Sequence, residues 1–254
     1  MNRTIFYSKI LSLILFLILF CPSCRAGNHE GDKKSGKRDP RTIAFSGYEW
    51  DVTDSGSEII SPGGNFFSSS PKNVRVDRRG RLHLRIIRRK GNWYCANIAL
   101  KESFAHDRYI FYVSSRVDRL DRNVVAGLFA YKDDLNEIDI EFSRWGMEKF
   151  TNGQFTVQPA HGGGNLQRFN LNLKSKHSTH IIDWKEDRID FASYRGHTAT
   201  RSDDDNIIRE WTYSGDNIPE EDDERIMINL WLYNGVPPAN NKGARIIIEA
   251  FEIQ

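Results

Sequence analysis

The stretch Glu137-Ile138-Asp139-Ile140-Glu141-Phe142 alternates strictly between acidic and apolar residues. Successive side chains of a β-strand point to opposite faces, so the segment is predicted to be a strand. Ile138, Ile140 and Phe142 then pack on a core, and Glu137, Asp139 and Glu141 share the other face. At about 3.3 Å per residue the Cα atoms of Glu137 and Glu141 stand roughly 13 Å apart. Long side chains leaning together bring the two carboxyls to about 5 to 6 Å, the separation of a retaining glycosidase, in which one carboxylate attacks the anomeric carbon and the other acts first as acid and then as base. Asp139 lies between them. Three like charges in one row cannot all ionise freely, so at least one apparent pKa rises, which suits a carboxyl that must donate a proton near neutrality. The alternative reading is a half-exposed antiparallel strand whose carboxylates are simply solvated. Against it, stacked like charges repel, and Thr or mixed charge serves a solvated face better.

The same period of two recurs on both sides of this segment. Leu82, Leu84 and Ile86 alternate with Arg81, His83 and Arg85, and Phe169, Leu171 and Leu173 alternate with Arg168, Asn170 and Asn172. Ile226, Ile228, Leu230 and Leu232 likewise alternate with Met227, Asn229, Trp231 and Tyr233. Turn signals such as Pro62-Gly63-Gly64-Asn65, Lys90-Gly91-Asn92 and Gly162-Gly163-Gly164-Asn165 punctuate the runs. No persuasive helical stripe competes with them. The expected fold is all-β, a jelly-roll β-sandwich of two antiparallel sheets whose concave face forms a groove for a polymer. Sugar rings stack on flat apolar surfaces, so aromatic residues on that face are candidate platforms. Trp231, beside Asn229, is read either as such a platform or as a rim tryptophan packed under a loop, and Trp184 and Trp145 are further candidates.

Residues 1–26 hold Arg3, Lys9, an apolar run from Ile10 to Phe20, and then Cys21, Cys24 and Ala26. This is the pattern of an export signal, with a signal anchor as the competing reading. Cys24 after Ser23 suits lipoprotein processing and a lipid anchor, whereas cleavage after Ala26 would give a secreted chain. Residues 27–41 lack large apolar side chains and are expected to be a flexible polar tether. Residues 42–254 then form a single domain carrying 28 Lys and Arg against 31 Asp and Glu, a formal charge of −3. Nucleic acid is therefore not an expected partner, and the domain is expected to act as a monomer. Cys95 is its only cysteine, so no internal disulfide is available, and its neighbours Trp93 and Tyr94 suggest a small buried apolar residue rather than a nucleophile.

On these residues the chain resembles glycoside hydrolase family 16, which contains laminarinases, lichenases, agarases, carrageenases and xyloglucan transglycosylases. The family motif has the form Glu-x-Asp-x-Glu, and the resemblance implies Glu137 as nucleophile, Asp139 as its assistant and Glu141 as acid/base. Gly127-Leu128-Phe129-Ala130-Tyr131 looks like the family's preceding strand, and Val157-Gln158-Pro159-Ala160-His161 like the segment after the motif. Ile182-Asp183-Trp184-Lys185-Glu186-Asp187-Arg188-Ile189 is similar to its Trp-x-Pro-x-x-Ile stretch, and Met227-Ile228-Asn229-Leu230-Trp231 to its Met-x-Asn-Leu-Trp strand. The resemblance implies a concanavalin-like jelly roll, a retaining mechanism and no catalytic metal. A structural calcium ion occurs in some members but cannot be placed here on particular residues. Two departures stand out: Asn123-Val124-Val125-Ala126-Gly127-Leu128-Phe129 replaces the Trp-Pro-Ala-x-Trp run of many laminarinases, and Tyr194-Arg195-Gly196 replaces the usual Val-Asp-Gly turn.

The expected activity is therefore endo-acting hydrolysis of a β-glucan-like polysaccharide by double displacement, needing no cofactor. A transglycosylase using the same residues and a non-catalytic glycan-binding protein are the alternatives. Expected sugar contacts are Tyr131, Trp145, Gln158 and His161 from the middle of the chain, with Trp184, Asn229 and Trp231 from its second half. His161 stands by a glycine turn and is equally readable as an exposed loop histidine. The runs Asp203-Asp204-Asp205 and Glu220-Glu221-Asp222-Asp223-Glu224 lack the spacing of a calcium loop and read as solvated loops. No Cys or His cluster has zinc-ligand spacing.

Overall fold

The computed structural model of the protein describes residues 40–201 and 204–254. The expected export signal, and the expected tether up to residue 39, lie outside the described residues. Pro40 precedes the first strand, and Arg41, assigned above to the tether, opens it: its Nη1 donates to the carbonyls of Ser69 at 2.7 Å and Val74 at 3.0 Å.

In chain order the strands are β1 (Arg41–Phe45), β2 (Tyr48–Val52), β3 (Phe66–Phe67), β4 (Val74–Val76), β5 (Leu82–Arg89), β6 (Asn92–Leu100), β7 (Arg108–Ser114) and β8 (Val124–Asp133). They continue as β9 (Asn136–Phe142), β10 (Gly153–Val157), β11 (Leu166–Phe169), β12 (His177–Trp184), β13 (Ile189–Arg195), β14 (Ile207–Tyr213), β15 (Arg225–Leu232) and β16 (Ala244–Ile253). The front sheet runs β11-β10-β9-β8-β15-β6-β2-β1, and the back sheet β4-β5-β16-β7-β12-β13-β14. Every pairing is antiparallel except that of the two-residue β3 with β6. The expected two-sheet antiparallel sandwich is thus the observed fold.

The β5–β6 hairpin passes from one sheet to the other. Lys90 and Gly91, at φ 47° and 87°, form its two-residue turn between the paired Arg89 and Asn92. Positive φ at both central residues is what a turn matching the right-handed strand twist requires. On the back-sheet end β5 pairs β16, while β6 pairs β15 in the front sheet.

Alternation places the core between the sheets. Ile138 and Ile140 of β9 are fully buried and Phe142 is 1% exposed, so the apolar side of the acidic strand faces inward as read. Phe155 of β10 stacks on Phe191 of β13 at 5.0 Å between centroids, and Phe142 lies 4.6 Å from the ring of His180 on β12. Each such buried aromatic or branched aliphatic side chain contributes about 1.5–3 kcal/mol by leaving water.

Trp184 corrects an expectation. It lies at the end of β12, 1% exposed, edge-to-face with His106 at 5.0 Å, and so belongs to the core rather than to a sugar platform. Alternation told its face but not which sheet carried it. Leu171 and Leu173 are buried as expected, yet β11 stops at Phe169. Beyond it the backbone bonds to side chains instead of a strand: Leu171 N–H donates to Asn152 Oδ1 and Leu173 N–H to Asp118 Oδ2.

Cys95 is wholly buried and its Sγ donates to Asn65 Oδ1 at 3.4 Å. Burial pushes its thiol up to about 12, so it is a small core residue, as its neighbours suggested.

Candidate active site

Strand register sets the acidic residues into a polar row across the front sheet. Glu141 pairs with Gly127 of β8 on one side and Gln154 of β10 on the other. Gly127 in turn pairs with Asn229 of β15, Asn229 with Asn97 of β6, and Gln154 with Arg168 of β11. Asp139 sits in the next row between Phe129 and Thr156, and Glu137 opposite Tyr131 in the row beyond.

The carboxylates are held by amide donors from β10 and its following loop. Gln154 Nε2 donates to Glu141 Oε2 at 2.7 Å, and Gln158 Nε2 donates to Asp139 Oδ2 at 3.2 Å. Gln158 is itself fixed: its backbone N–H donates to the carbonyl of Glu137 and its Oε1 accepts from Ala160 N–H. Asp139, 3% exposed, is also hydrogen-bonded to Glu137.

Burial and mutual repulsion shift all three. Loss of water raises Glu137 to about 7, opposed by the hydrogen bond with Asp139 and helped by the charge of Asp134. Burial raises Asp139 well above the usual carboxylate range, reinforced by the charges of Glu137 and Glu141. Glu141 is raised to about 8 by burial and then by Glu137, while the bond from Gln154 and the charge of Arg168 pull it down. The Glu137–Asp139 bond lowers Glu137 and raises Asp139, so the shared proton resides on Asp139 and is donated to Glu137. At neutrality the trio therefore presents an ionised or readily ionised Glu137 beside a protonated Glu141.

Two cavities meet at these carboxylates. One, of about 210 Å³, extends over β8, β15 and β6 and is lined by Gly127, Phe129, Tyr131, Asn97, Asn229 and Phe67, among others. The other, of about 670 Å³, extends over β10 and β11 and is lined by Gln154, Gln158, Arg168, Trp145, Met147 and Tyr233. Glu137, Asp139, Glu141, Pro62 and Trp231 line both.

Of the residues read from sequence, Tyr131, Asn229, Trp231, Trp145 and Gln158 are brought together in this cleft. Tyr131 donates its hydroxyl to Asp134 Oδ1 at 3.2 Å. Asn229 is 5% exposed and its Oδ1 has no partner. Trp231, 8% exposed, combines both readings: it lines the cleft, yet the 62–64 turn covers it, since a Cβ on Gly63 would stand 2.5 Å from its ring. Trp145 meets the ring of Trp231 edge-on at 6.4 Å and that of Tyr233 at 5.5 Å. His161 lies exposed on the turn after β10 and lines neither cavity.

Gln154, Arg168, Asn97 and the Ser61–Pro62 turn are the residues that sequence reading passed over. Gln154 was within reach, because Gln154-Phe155-Thr156-Val157 repeats the polar/apolar alternation directly after the acidic strand. Among the described residues no group of His, Cys, Asp and Glu is placed to hold a metal ion. In the acidic 220–224 run Asp222 and Asp223 pair with Lys132, and Asp203 of the other run lies outside the described residues.

No family profile matches the sequence, and no curated protein sequence matches it. Solved structures do. A Bacillus licheniformis beta-glucanase superposes with a TM-score of 0.58 at 18% identity, over 85% of this chain and 95% of that one. A glycosyl hydrolase family 16 protein of Mycobacterium smegmatis gives 0.57 at 15% identity, over 81% and 91%. A Mycobacterium tuberculosis protein described as an immunostimulatory antigen and pseudo beta-1,3-glucanase gives 0.60 at 15%, over 80% and 90%. The chain therefore has the jelly-roll fold of the family 16 glycoside hydrolases, in agreement with the resemblance carried by its motifs.

Proposed function

We propose that the protein is a retaining glycoside hydrolase that cleaves a β-linked, β-glucan-like polysaccharide. The observation that carries this reading is the placement of Glu137, Asp139 and Glu141 on one strand face, largely withdrawn from water, where two cavities meet. Glu137 attacks the anomeric carbon while Glu141, raised to about 8, gives its proton to the leaving oxygen. Asp139 donates a hydrogen bond to Glu137, keeping it ionised until attack, and Gln158 holds Asp139 in place. Deprotonated Glu141 then takes a proton from the water that releases the glycosyl group from Glu137. No cofactor enters these steps.

Cavities on both sides of the carboxylates would seat sugar units on either side of the scissile bond, which supports endo action, and passage of the covalent intermediate to a sugar acceptor would make the same residues a transglycosylase. Export by the 1–26 segment, with lipidation at Cys24 or release after Ala26, would place the enzyme where polysaccharide is met. A binding protein on the same fold is the second reading, favoured by the pseudo-glucanase among its structural neighbours.

Reducing-end release by residues 40–254 on β-glucans, xyloglucan, agarose and carrageenan tests the proposal, with Glu137→Gln in parallel. The expected result is release lost by about 10³-fold or more in the variant, retention of anomeric configuration by NMR, and azide rescue of Glu141→Ala. Full activity in Glu137→Gln would remove the nucleophile assignment, and polysaccharide retention in gels without release would favour the binding protein.

A further inference from the structure

Among the described residues, Arg168 is the only cation lining either cavity; the other charged liners are Asp134, Glu137, Asp139 and Glu141. Several arginines of the chain find a carboxylate, as Arg81 does with Asp77, Arg116 with Asp118 and Arg225 with Asp51, and others, such as Arg41 and Arg195, donate to backbone carbonyls. Among the described residues the Arg168 side chain has neither kind of partner. Its guanidinium is stacked over the ring of Phe150, 4.7 Å from the centroid, and its Nη1 is buried without a hydrogen-bond partner. The stack orients the plane of the fork without occupying any of its N–H groups. Beside it, Gln154 is 6% exposed and its Oε1 is also buried and unpartnered.

A buried N–H group without an acceptor weakens a fold unless a ligand completes it. Planar oxyanions match its fork bidentately, whereas neutral sugar hydroxyls are already catered for in this cleft by Gln154, Asn229 and Asn97. We propose that Arg168, backed by Phe150, binds an oxyanion substituent of the sugar chain, a sulfate ester or a uronate carboxylate, on the β10–β11 side of the carboxylates. The proposal rests on the glycoside hydrolase reading and names its substrate class as acid-substituted.

The position links this group to the chemistry. Arg168 pairs with Gln154, which pairs with Glu141, so the guanidinium projects from a strand two removed from the acid/base, on the order of 10 Å across the sheet. Its charge draws Glu141 toward ionisation. An oxyanion seated on Arg168 cancels that pull, so a substrate carrying the substituent keeps its own general acid protonated. General attraction to polyanions does not explain a preference here, because the domain carries a formal charge of −3.

The test uses matched polymers: a sulfated β-galactan with its desulfated form, and a β-glucan oxidised at C6 with its parent. Wild type is expected to favour the acidic member of one pair by about tenfold or more in kcat/KM, and the pair that responds tells sulfate from carboxylate. In Arg168→Gln that ratio is expected to fall to within about threefold. Equal or greater activity on the neutral members, or an Arg168→Gln variant that keeps the wild-type ratio, overturns the proposal. If no polymer is cleaved, the hydrolase reading falls, but affinity gels of Glu141→Gln still decide the Arg168 site. Retention of an acidic over a neutral polymer that vanishes when Arg168→Gln is added supports it; equal retention, or none, refutes it.

Discussion

Gly127 and Asn229 face each other across the β8–β15 ladder so closely that a Cβ on Gly127 would stand 2.7 Å from Asn229 Oδ1. The bare backbone at Gly127 also lies directly opposite Glu141. The absence of a side chain therefore does two things: it leaves Asn229 its position, and it keeps the smaller cavity open beside the acid/base.

Gly127→Ala should consequently harm catalysis more than folding. The backbone there needs no positive φ, so only the contact with the Asn229 amide must yield. A fall in kcat/KM of about tenfold or more is expected, with Tm within about 3 °C of wild type. Unchanged kinetics would show that Asn229 makes no contact that matters to the reaction.

Activity should follow a bell-shaped pH profile. Protonation of Glu137 as pH drops below about 7 removes the nucleophile, and ionisation of Glu141 above about 8 removes the acid. The profile of kcat/KM is expected to peak between these limbs, each limb belonging to the coupled trio rather than to one residue. An optimum near pH 5 would contradict this assignment of the proton.

The same shifts make the site a stability cost. Glu141 binds its proton more tightly folded than unfolded, so its contribution is fully favourable below the unfolded value near 4.5 and is lost as pH rises toward about 8. Glu141→Gln keeps an acceptor for Gln154 and removes the charge. Its unfolding free energy should exceed that of wild type at pH 8–9 by an amount on the order of 2 kcal/mol, after discounting the partly wet side chain, and match it near pH 4. Chemical denaturation at the two pH values measures the difference.

His180 should stay neutral well into acid. It is wholly buried behind Phe142, with Nδ1 at 2.8 Å from Ser193 Oγ and Nε2 at 2.9 Å from Ser178 Oγ, and burial lowers it to about 3. Its imidazole NMR signals are expected to remain fixed between pH 7 and 4.5. Because the unfolded chain takes up this proton near pH 6.5, the fold loses stability as pH falls from there toward 3.

Gly63→Ala should loosen the turn over Trp231. Gly63 sits at φ 69° with the indole 2.5 Å from any added Cβ, so the new side chain is both strained and obstructed. A loss of about 1–3 kcal/mol is expected by urea unfolding, with a change in tryptophan fluorescence before the global transition.

How legible the molecule was from sequence depended on range. The faces of β9 and β15 were readable because alternation is local: Ile138 and Leu230 went inward and Asp139 and Asn229 outward as read. Trp184 was misplaced because alternation says nothing about which sheet a strand joins. Arg168 and Asn97 were missed for a related reason. Each meets the carboxylates only through cross-strand register, Arg168 by way of Gln154 and Asn97 by way of the distant Asn229, and an arginine or asparagine on a polar strand face carries no local mark of what stands opposite it.

Strand β15 is the keystone of the front sheet: it separates β6 from β8, yet residues 225–232 follow both only after a long stretch of chain. Until they are in place, β6 and the β8–β11 group present two unpaired edges with nothing to join them. The catalytic strand can form its own meander early, but its Asn229 neighbour and half its cleft arrive only with this late insertion. Such long-range closure makes for slow folding. A chain cut short before residue 225 would therefore be less a weakened enzyme than a sticky pair of half-sheets, prone to join its own kind along edges that the complete molecule never shows.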